Sequence, residues 1–378
     1  MSDHSPPPAS LDLDRLRVVA SLGRGAKGAV FLVDTGAETL ALKAISRSSI
    51  EKKSRISNGS SESAYRRIWF EHNVLSALDH PLLPKLRGSI STDRIVGFAM
   101  DFCSGGDLSS LRRRQTEKMF SDEVIRFYAA ELVLALDYLH KSGIVYRDLK
   151  PENVLIQENG HLMLVDFDLS TKLPPKKPQK TVEQNVKKPP TKTSTQKRLQ
   201  SYCFLCNSGI SPDEPDPVPN RSDKSNSFVG TEEYVAPEII RADGHDFSAD
   251  WWSLGVVLYE MLYGRTPFRG QTRKETFYRI LNVDPDLVGE PTPLRDLIRG
   301  LLEKDPRRRI SGEGIMGHEF FRGVDWERIL RVDRPPFVPG AFREGEDDDD
   351  VVDLEGVVLS VFGGGSADVD GLSICAVP

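Results

Sequence analysis

Cysteine is scarce in this chain, four in 378 residues at positions 103, 203, 206 and 375, with no framework spacing. That excludes a disulfide-built scaffold and suits a reducing interior. Long apolar runs are missing too: no uninterrupted stretch reaches the ~18–20 residues that a membrane span needs. Met1 to Ser10 is rich in Pro and Ser rather than apolar, so no secretory signal is expected. A positive surplus is also lacking. The formal net charge of −6 gives no reason for the whole chain to bind nucleic acid. What remains is the composition of a soluble globular protein, 39% hydrophobic and 28% charged, placed by these absences in the cytoplasm or nucleus. The length allows two lobes and a large core, with roughly a hundred residues over for tails and loops.

Along the chain, residues 1–15 read as a disordered tail. Strand-like alternation follows at Leu16–Ala20, Ala29–Val33 and, after a turn at Gly36, Thr39–Ile45. Ser54 to Ser63 is rich in Ser, Asn and Gly and reads as a flexible insertion. A helix is expected from about Ala64, with Ile68, Phe70, Val74, Leu75 and Leu78 at helical spacing. Strands return near Ile90 and at Ile95–Met100, and beyond Gly105-Gly106 the chain turns helical, most clearly over Val124–Leu139 and Ser248–Leu262. Residues 172–226 break the pattern with many prolines and few large aliphatics. Such a segment buries too little apolar area to offset its ordering entropy, and disorder is expected.

The chemistry concentrates in Tyr146-Arg147-Asp148-Leu149-Lys150-Pro151-Glu152-Asn153. A carboxylate, an ammonium and an amide on one short loop form the set that phosphoryl transfer from a nucleotide needs. Asp148 would orient the attacking hydroxyl and accept its proton, Lys150 would steady the migrating group, and Asn153 would hold a metal ion. Gly23, Gly25 and Gly28 lie between two strands, where backbone amides can close over a polyphosphate. A dinucleotide turn would want a helix directly afterwards, and Ala29–Val33 reads as strand. Lys43 ends a strand and needs a counter-charge. Glu71 is the first choice and Glu62 the alternative. Asp166, at the end of the strand Leu162–Val165, is placed to chelate Mg²⁺. Two positions on, Asp168 stands where such sites usually carry glycine, a place where Asp tolerates the left-handed region. Glu238 is expected to pair with Arg309 as a structural bridge.

These motifs, in this order over about Leu16 to Arg331, resemble a eukaryotic protein kinase. The resemblance implies an α+β bilobal fold: a small antiparallel lobe over about 16–101, a larger helical lobe over about 102–321, and a C-terminal tail over 322–378. Tyr146, the Ser227-Phe228-Val229-Gly230-Thr231 run and Phe320-Phe321-Arg322-Gly323-Val324-Asp325-Trp326 before Pro335-Pro336-Phe337 are similar to the AGC group of serine/threonine kinases. Asp168 and the long insertion resemble plant-specific group VIII, and the opening Leu22-Gly23-Arg24-Gly25-Ala26-Lys27-Gly28 looks like its UNICORN-like branch.

On matching positions the resemblance implies ATP and Mg²⁺ as cofactors, protein Ser/Thr as substrate and a role in plant growth and developmental signalling. Met100 would be the gatekeeper, with adenine bonded to the backbone from Asp101 to Cys103 and sandwiched by Val30, Ala41 and Leu155. Leu22 would close the nucleotide site above and Asp107 would flank it. Leu75, Leu86, Tyr146 and Phe167 would stack as a column anchored by Asp250, and the Thr231 hydroxyl would bridge Asp148 and Lys150. Ser227 would be the activation-loop phosphosite, paired with Arg147 and filled by a phosphoinositide-dependent kinase. Asp107, Glu152 and Glu260 match acids that read upstream arginines in basophilic relatives.

Two features depart from the group. The ending Leu372 to Pro378 lacks the Phe-x-x-Phe element, and Cys203 with Cys206 resembles half a zinc knuckle without the other half. The lysines between Lys176 and Lys197 leave three readings open: anionic lipid at the plasma membrane, nuclear import, or a solvated loop. A monomeric enzyme with no specific nucleic-acid partner is expected; a kinase-like scaffold acting through the insertion is the alternative.

Overall fold

The computed structural model describes residues 10–24, 28–56, 61–173, 230–332 and 335–339, together with Gly356 and Leu359. Five strands build one antiparallel sheet: β1 (Arg17–Arg24), β2 (Ala29–Asp34), β3 (Thr39–Ser46), β4 (Leu86–Ser91) and β5 (Ile95–Asp101), in the order β1-β2-β3-β5-β4. The period-2 pattern of β3 decides what points where. Leu40, Leu42 and Ala44 pack with Val18, Phe31 and Val33 on the outer face, whereas Ala41 and Ile45 join the core on the other face. Lys43 shares that second face by parity and so looks toward the rest of the molecule. The turn expected at Gly36 is present, with φ of 79°.

Two helices join the sheet, α1 (Arg47–Ile56) and α2 (Ser61–Ala77). The flexible insertion expected over Ser54–Ser63 is corrected here: helix runs to Ile56, resumes at Ser61, and only 57–60 lie outside the described residues. Tertiary contacts override the weak local propensity. Arg47 donates to Thr92 O at 2.8 Å and to Ser91 Oγ at 2.9 Å, and Ile50 is buried. The tail reading of residues 1–15 is shortened likewise. Ser10 pairs with Ser89, Leu11 N donates to Ser89 O at 3.0 Å, and a single helical turn spans Leu13–Arg15.

Beyond Asp101 come α3 (Leu108–Arg113), α4 (Asp122–Lys141), the short strands β6 (Ile144–Val145), β7 (Val154–Ile156), β8 (Leu162–Leu164) and β9 (Thr171–Lys172), then α5 (Pro237–Ile240), α6 (Ser248–Tyr263), α7 (Arg273–Asn282), α8 (Pro293–Leu301) and α9 (Gly312–Met316). Ser121 caps α4, its hydroxyl accepting from Val124 N. Helix α6 is buried on every side from Ala249 to Met261, the signature of a central core helix. The antiparallel small lobe and helical large lobe make the bilobal α+β fold. One cluster of buried side chains runs from α2 and β5 through α4 to α6, so the cleft between the lobes is floored by continuous packing.

Candidate active site

Residues 146–153 connect β6 to β7, and their backbone is pinned from below by Asp250 in the first turn of α6. Fully buried, Asp250 accepts from Tyr146 N at 2.9 Å and Arg147 N at 2.7 Å, and His140 Nε2 lies 2.7 Å from its carboxylate. These bonds hold Arg147 at φ of 71°, a conformation a long side chain adopts only when its surroundings impose it. The Arg147 guanidinium donates to Leu169 O at 2.6 Å and sits 3.4 Å from the buried His245 ring. Burial, seconded by that guanidinium, pushes the imidazole down to about 4.

The bend turns Asp148 into a closed network. Its Oδ1 accepts the Thr231 hydroxyl at 2.9 Å; its Oδ2 accepts the Lys150 ammonium at 2.8 Å and the Asn153 amide at 3.0 Å. Lys150 also donates to Thr231 Oγ1 at 3.0 Å, which makes the bridge expected of that hydroxyl. The carboxylate is 6% exposed and oriented by three donors, the arrangement required of a base that must not wander.

Opposite it, the inward face of β3 presents Lys43 to α2. The buried stripe of that helix, Ile68, Glu71, His72 and Leu75, carries Glu71 at helical spacing. Lys43 Nζ lies 2.7 and 2.8 Å from the two Glu71 oxygens and 3.1 Å from Asp166 Oδ1. Burial alone would lower the ammonium's pKa, but Glu71 and Asp166 outweigh it and hold Lys43 protonated above its usual range. Burial raises the Glu71 carboxyl, offset in part by the ammonium. For Asp166 burial is outweighed by Lys43 and by the Asp168 N–H, and its pKa falls. Glu62, the alternative partner, instead pairs with Arg66 at the surface.

The left-handed residue of this segment is Asp166, with φ of 61°; Asp168 keeps an ordinary negative φ, which corrects the premise that position 168 needs the glycine region. Phe167 between them is fully buried, its ring 5.5 Å from that of Tyr146, and Leu75 and Leu86 belong to the same core.

Could these residues hold a divalent cation? Asp166 has a half-exposed carboxylate, one oxygen of which accepts from Lys43. Asn153 Nδ2 is engaged by Asp148 O and Oδ2, which leaves the amide oxygen as the group to offer a metal. Among the described residues no cluster of three His, Cys, Asp or Glu side chains encloses an ion. Two oxygen donors completed by phosphate oxygens fit a hard, partly hydrated cation.

The residues expected to face a nucleotide come from both lobes. Ala41, Met100 and Cys103 are buried, while Leu22, Val30 and Leu155 are half-buried. The Asp101 carboxylate turns away to Lys85 N and Arg87, leaving its backbone to the cleft. Met163, missed in the sequence, lies under this wall with its sulfur 3.5 Å from Cys103 Sγ. Burial pushes the Cys103 thiol up to about 12, so it packs rather than reacts. At Gly28 a Cβ would come within 2.8 Å of Ala44 O, so the loop's return into β2 demands glycine; Gly23 has open space, and Gly25 lies outside the described residues.

The three acids expected to read substrate arginines differ in their freedom. Glu152 is exposed. Asp107 caps α3, accepting from Ser110 N at 2.7 Å and Ser110 Oγ at 2.9 Å. Glu260 is buried, bridged to Arg112 at 2.7 Å and accepting the Tyr234 hydroxyl at 2.5 Å, so an incoming guanidinium would have to share it. Burial raises the Glu260 carboxyl, and Glu152 and Glu233 add to that. The expected Glu238–Arg309 bridge is present at 2.7 and 2.9 Å. Ser227, Cys203, Cys206 and the lysines of the basic insertion lie outside the described residues. His140, His245 and Thr231 reach the site across long sequence separations; for the two histidines no local pattern announced it.

The chain matches the protein kinase domain over residues 16–189 and 217–321. It is similar to the serine/threonine-protein kinase OXI1 of Arabidopsis thaliana, 59% identical with 93% of this chain and 86% of that one covered. The serine/threonine-protein kinase UCN of the same plant is 42% identical over 88% of this chain and 86% of its own. Phototropin-2 of Oryza sativa subsp. japonica is also 42% identical, over 86% of this chain and 34% of that longer one.

Proposed function

The chain belongs to the protein kinase family, among the plant AGC serine/threonine kinases of group VIII, and we propose that it phosphorylates Ser and Thr hydroxyls preceded by arginines, using Mg²⁺ and ATP. The observation that carries this reading is the closed network on Asp148 facing an intact Lys43–Glu71–Asp166 cluster.

Mg²⁺-bound ATP supplies the phosphoryl group and offsets its charge when bound. Lys43, steadied by Glu71, offers its ammonium to the phosphates, and Asp166 with the Asn153 oxygen would hold the cation. Asp148 orients the substrate hydroxyl and takes its proton as the oxygen attacks the γ-phosphorus, an effect worth roughly 10²–10⁴-fold in such enzymes. The bond to the β-phosphate oxygen breaks, releasing ADP. Lys150 places positive charge beside the group in flight, and Thr231 keeps both side chains aligned. Glu152, Glu260 and Asp107 draw upstream arginines into the groove. Phosphate on Ser227, added by an upstream kinase, pairs with Arg147 and tightens the loop below Asp148. The enzyme acts in the cytoplasm and nucleus in growth signalling, with the insertion around Lys176–Lys197 directing placement; a fluorescent fusion with those lysines changed to Gln should redistribute.

Calorimetric titration with ATP tests the nucleotide reading. Binding that needs Mg²⁺ and is abolished by EDTA is expected; protein that holds no nucleotide with any divalent cation would overturn it. A positional peptide array showing no gain from upstream Arg would remove the substrate preference.

A further inference from the structure

His161 immediately precedes β8, with both ring nitrogens facing acceptors. Nδ1 makes a short contact with Glu131 Oε1 on α4, and Nε2 lies 3.2 Å from Val332 O in the segment that follows the large lobe. The other Glu131 oxygen accepts Leu162 N at 2.9 Å, and Glu131 is fully buried. Residues 335–339 lie against this surface as a strap. A Cβ on Gly160, whose φ is 85°, would stand 2.4 Å from Phe337 O and 2.9 Å from Pro335. One on Gly105 would stand 2.6 Å from Pro339. The Phe337 ring lies under the Arg114 guanidinium at 5.6 Å. Pro339 thus stands against Gly105, two positions past Cys103 and next to the nucleotide hinge.

A hydrogen count on the latch limits its protonation state. Both contacts of the ring are satisfied when a proton lies between Nδ1 and Glu131 and a second sits on Nε2, pointing at Val332 O. It does not matter whether the shared proton rides on the imidazole or on the carboxyl. Remove one proton, and either Nε2 turns a lone pair toward the Val332 carbonyl or Nδ1 turns one toward a carboxylate. Either sets two acceptors face to face beside the buried His161 and Glu131 and removes a hydrogen bond from the contact. We propose that the strap formed by residues 335–339 is seated by a proton-linked latch made of Glu131, His161 and the Val332 carbonyl, and that it leaves the large lobe when the pair loses one proton.

The other ionisable groups on the elements packed around the ring are the Tyr128 phenol on α4, Glu158 in the β7–β8 turn and Arg331 beside Val332; among the described residues only Glu131 bonds to the ring. The hydrogen bond to Glu131 raises the His161 pKa against its burial, and burial raises that of Glu131. Both directions make the seated pair keep its proton beyond the usual histidine range. The contribution is therefore complete below about pH 6.5, the ordinary histidine value, and fades as pH rises through the raised one.

The test places 4-fluorophenylalanine at position 337 and follows its ¹⁹F resonance from pH 6 to 9. In the otherwise unaltered chain the signal should move from a seated to a solvent-like position with a one-proton slope. Glu131→Gln reproduces the protonated pair without a titratable proton: its amide N–H₂ faces Nδ1, its oxygen keeps Leu162 N, and neutral His161 donates from Nε2. This variant should stay seated at every pH. Gly160→Ala should be displaced at every pH, which calibrates the free position. A wild-type signal that does not change with pH, or a Glu131→Gln signal that tracks wild type, overturns the latch. Should Glu131→Gln not fold, His161→Gln serves instead, and a pH-dependent displacement persisting in it overturns the latch equally.

Discussion

Two glutamates in this molecule each hold a base at 2.7 Å, yet one pair is framework and the other is machinery. Glu238 and Arg309 are sealed, with side chains 2% and 0% exposed, and the guanidinium has further acceptors in Ser248 O and Glu303 O. Every polar atom of that bridge points at protein. Glu71 is equally hidden, but its partner Lys43 remains 17% exposed and shares its charge with Asp166, whose carboxylate is 44% exposed. The sealed pair can do nothing except hold α5 against the segment following α8. The open pair ends in a charge that a ligand can reach. Burial of an ion pair does not separate structure from function; an unsealed end does.

The largest expected effect breaks the sealed pair. Arg309→Met leaves Glu238 buried without a partner and should destabilise the fold by about 3–5 kcal/mol in denaturant unfolding. A loss under ~1 kcal/mol would mean that this bridge is no more structural than a surface one. Lys43→Met should reverse the pattern: phosphotransfer falls by ~10²-fold or more, while the fold loses less than in Arg309→Met because the Lys43 end of the pair, unlike Arg309, is already partly exposed. Paired measurements of kcat and unfolding free energy on both variants check this.

A third cationic side chain sharpens the distinction. Arg147 faces a neutral neighbour, the 2%-exposed His245 held down to about 4. Below pH ~6.5 the unfolded chain takes up this proton and the folded one does not, so stability should fall as pH drops from ~6.5 toward 4. The difference amounts to about 3 kcal/mol at most. Stability curves of wild type and His245→Gln over that window test it, the variant being flatter. The sign is opposite to that of the His161 latch, which weakens as pH rises. The smallest effect belongs to the groove. Glu152→Gln should lower the advantage of Arg-bearing peptides several-fold through kcat/KM while leaving a peptide without upstream Arg unchanged.

Much of this site was legible because its chemistry is local in sequence. Asp148, Lys150 and Asn153 share one loop, and the glycines stand between two alternating strands. Even Lys43 and Glu71 could be paired, because parity on β3 and helical spacing on α2 each fix a direction. What escaped depends on distant chain. Helix α1 hides in a Ser-rich stretch because Arg47 finds its partners at Ser91 and Thr92, 44 and 45 residues away. Glu260 read as a free substrate acid because nothing near it signals Arg112. The left-handed residue fell on Asp166 rather than Asp168 because the bend follows Lys43 and the buried Phe167, not the glycine-like position. The Glu131–His161–Val332 latch joins three segments that no local pattern connects.

The most direct test compares wild type with Asp148→Asn for transfer of radiolabel from [γ-³²P]ATP to an Arg-bearing serine peptide, at nucleotide concentrations saturating for both. Loss of turnover by ~10²-fold or more with ATP binding retained is the predicted result. Equal turnover by the two proteins would contradict the account.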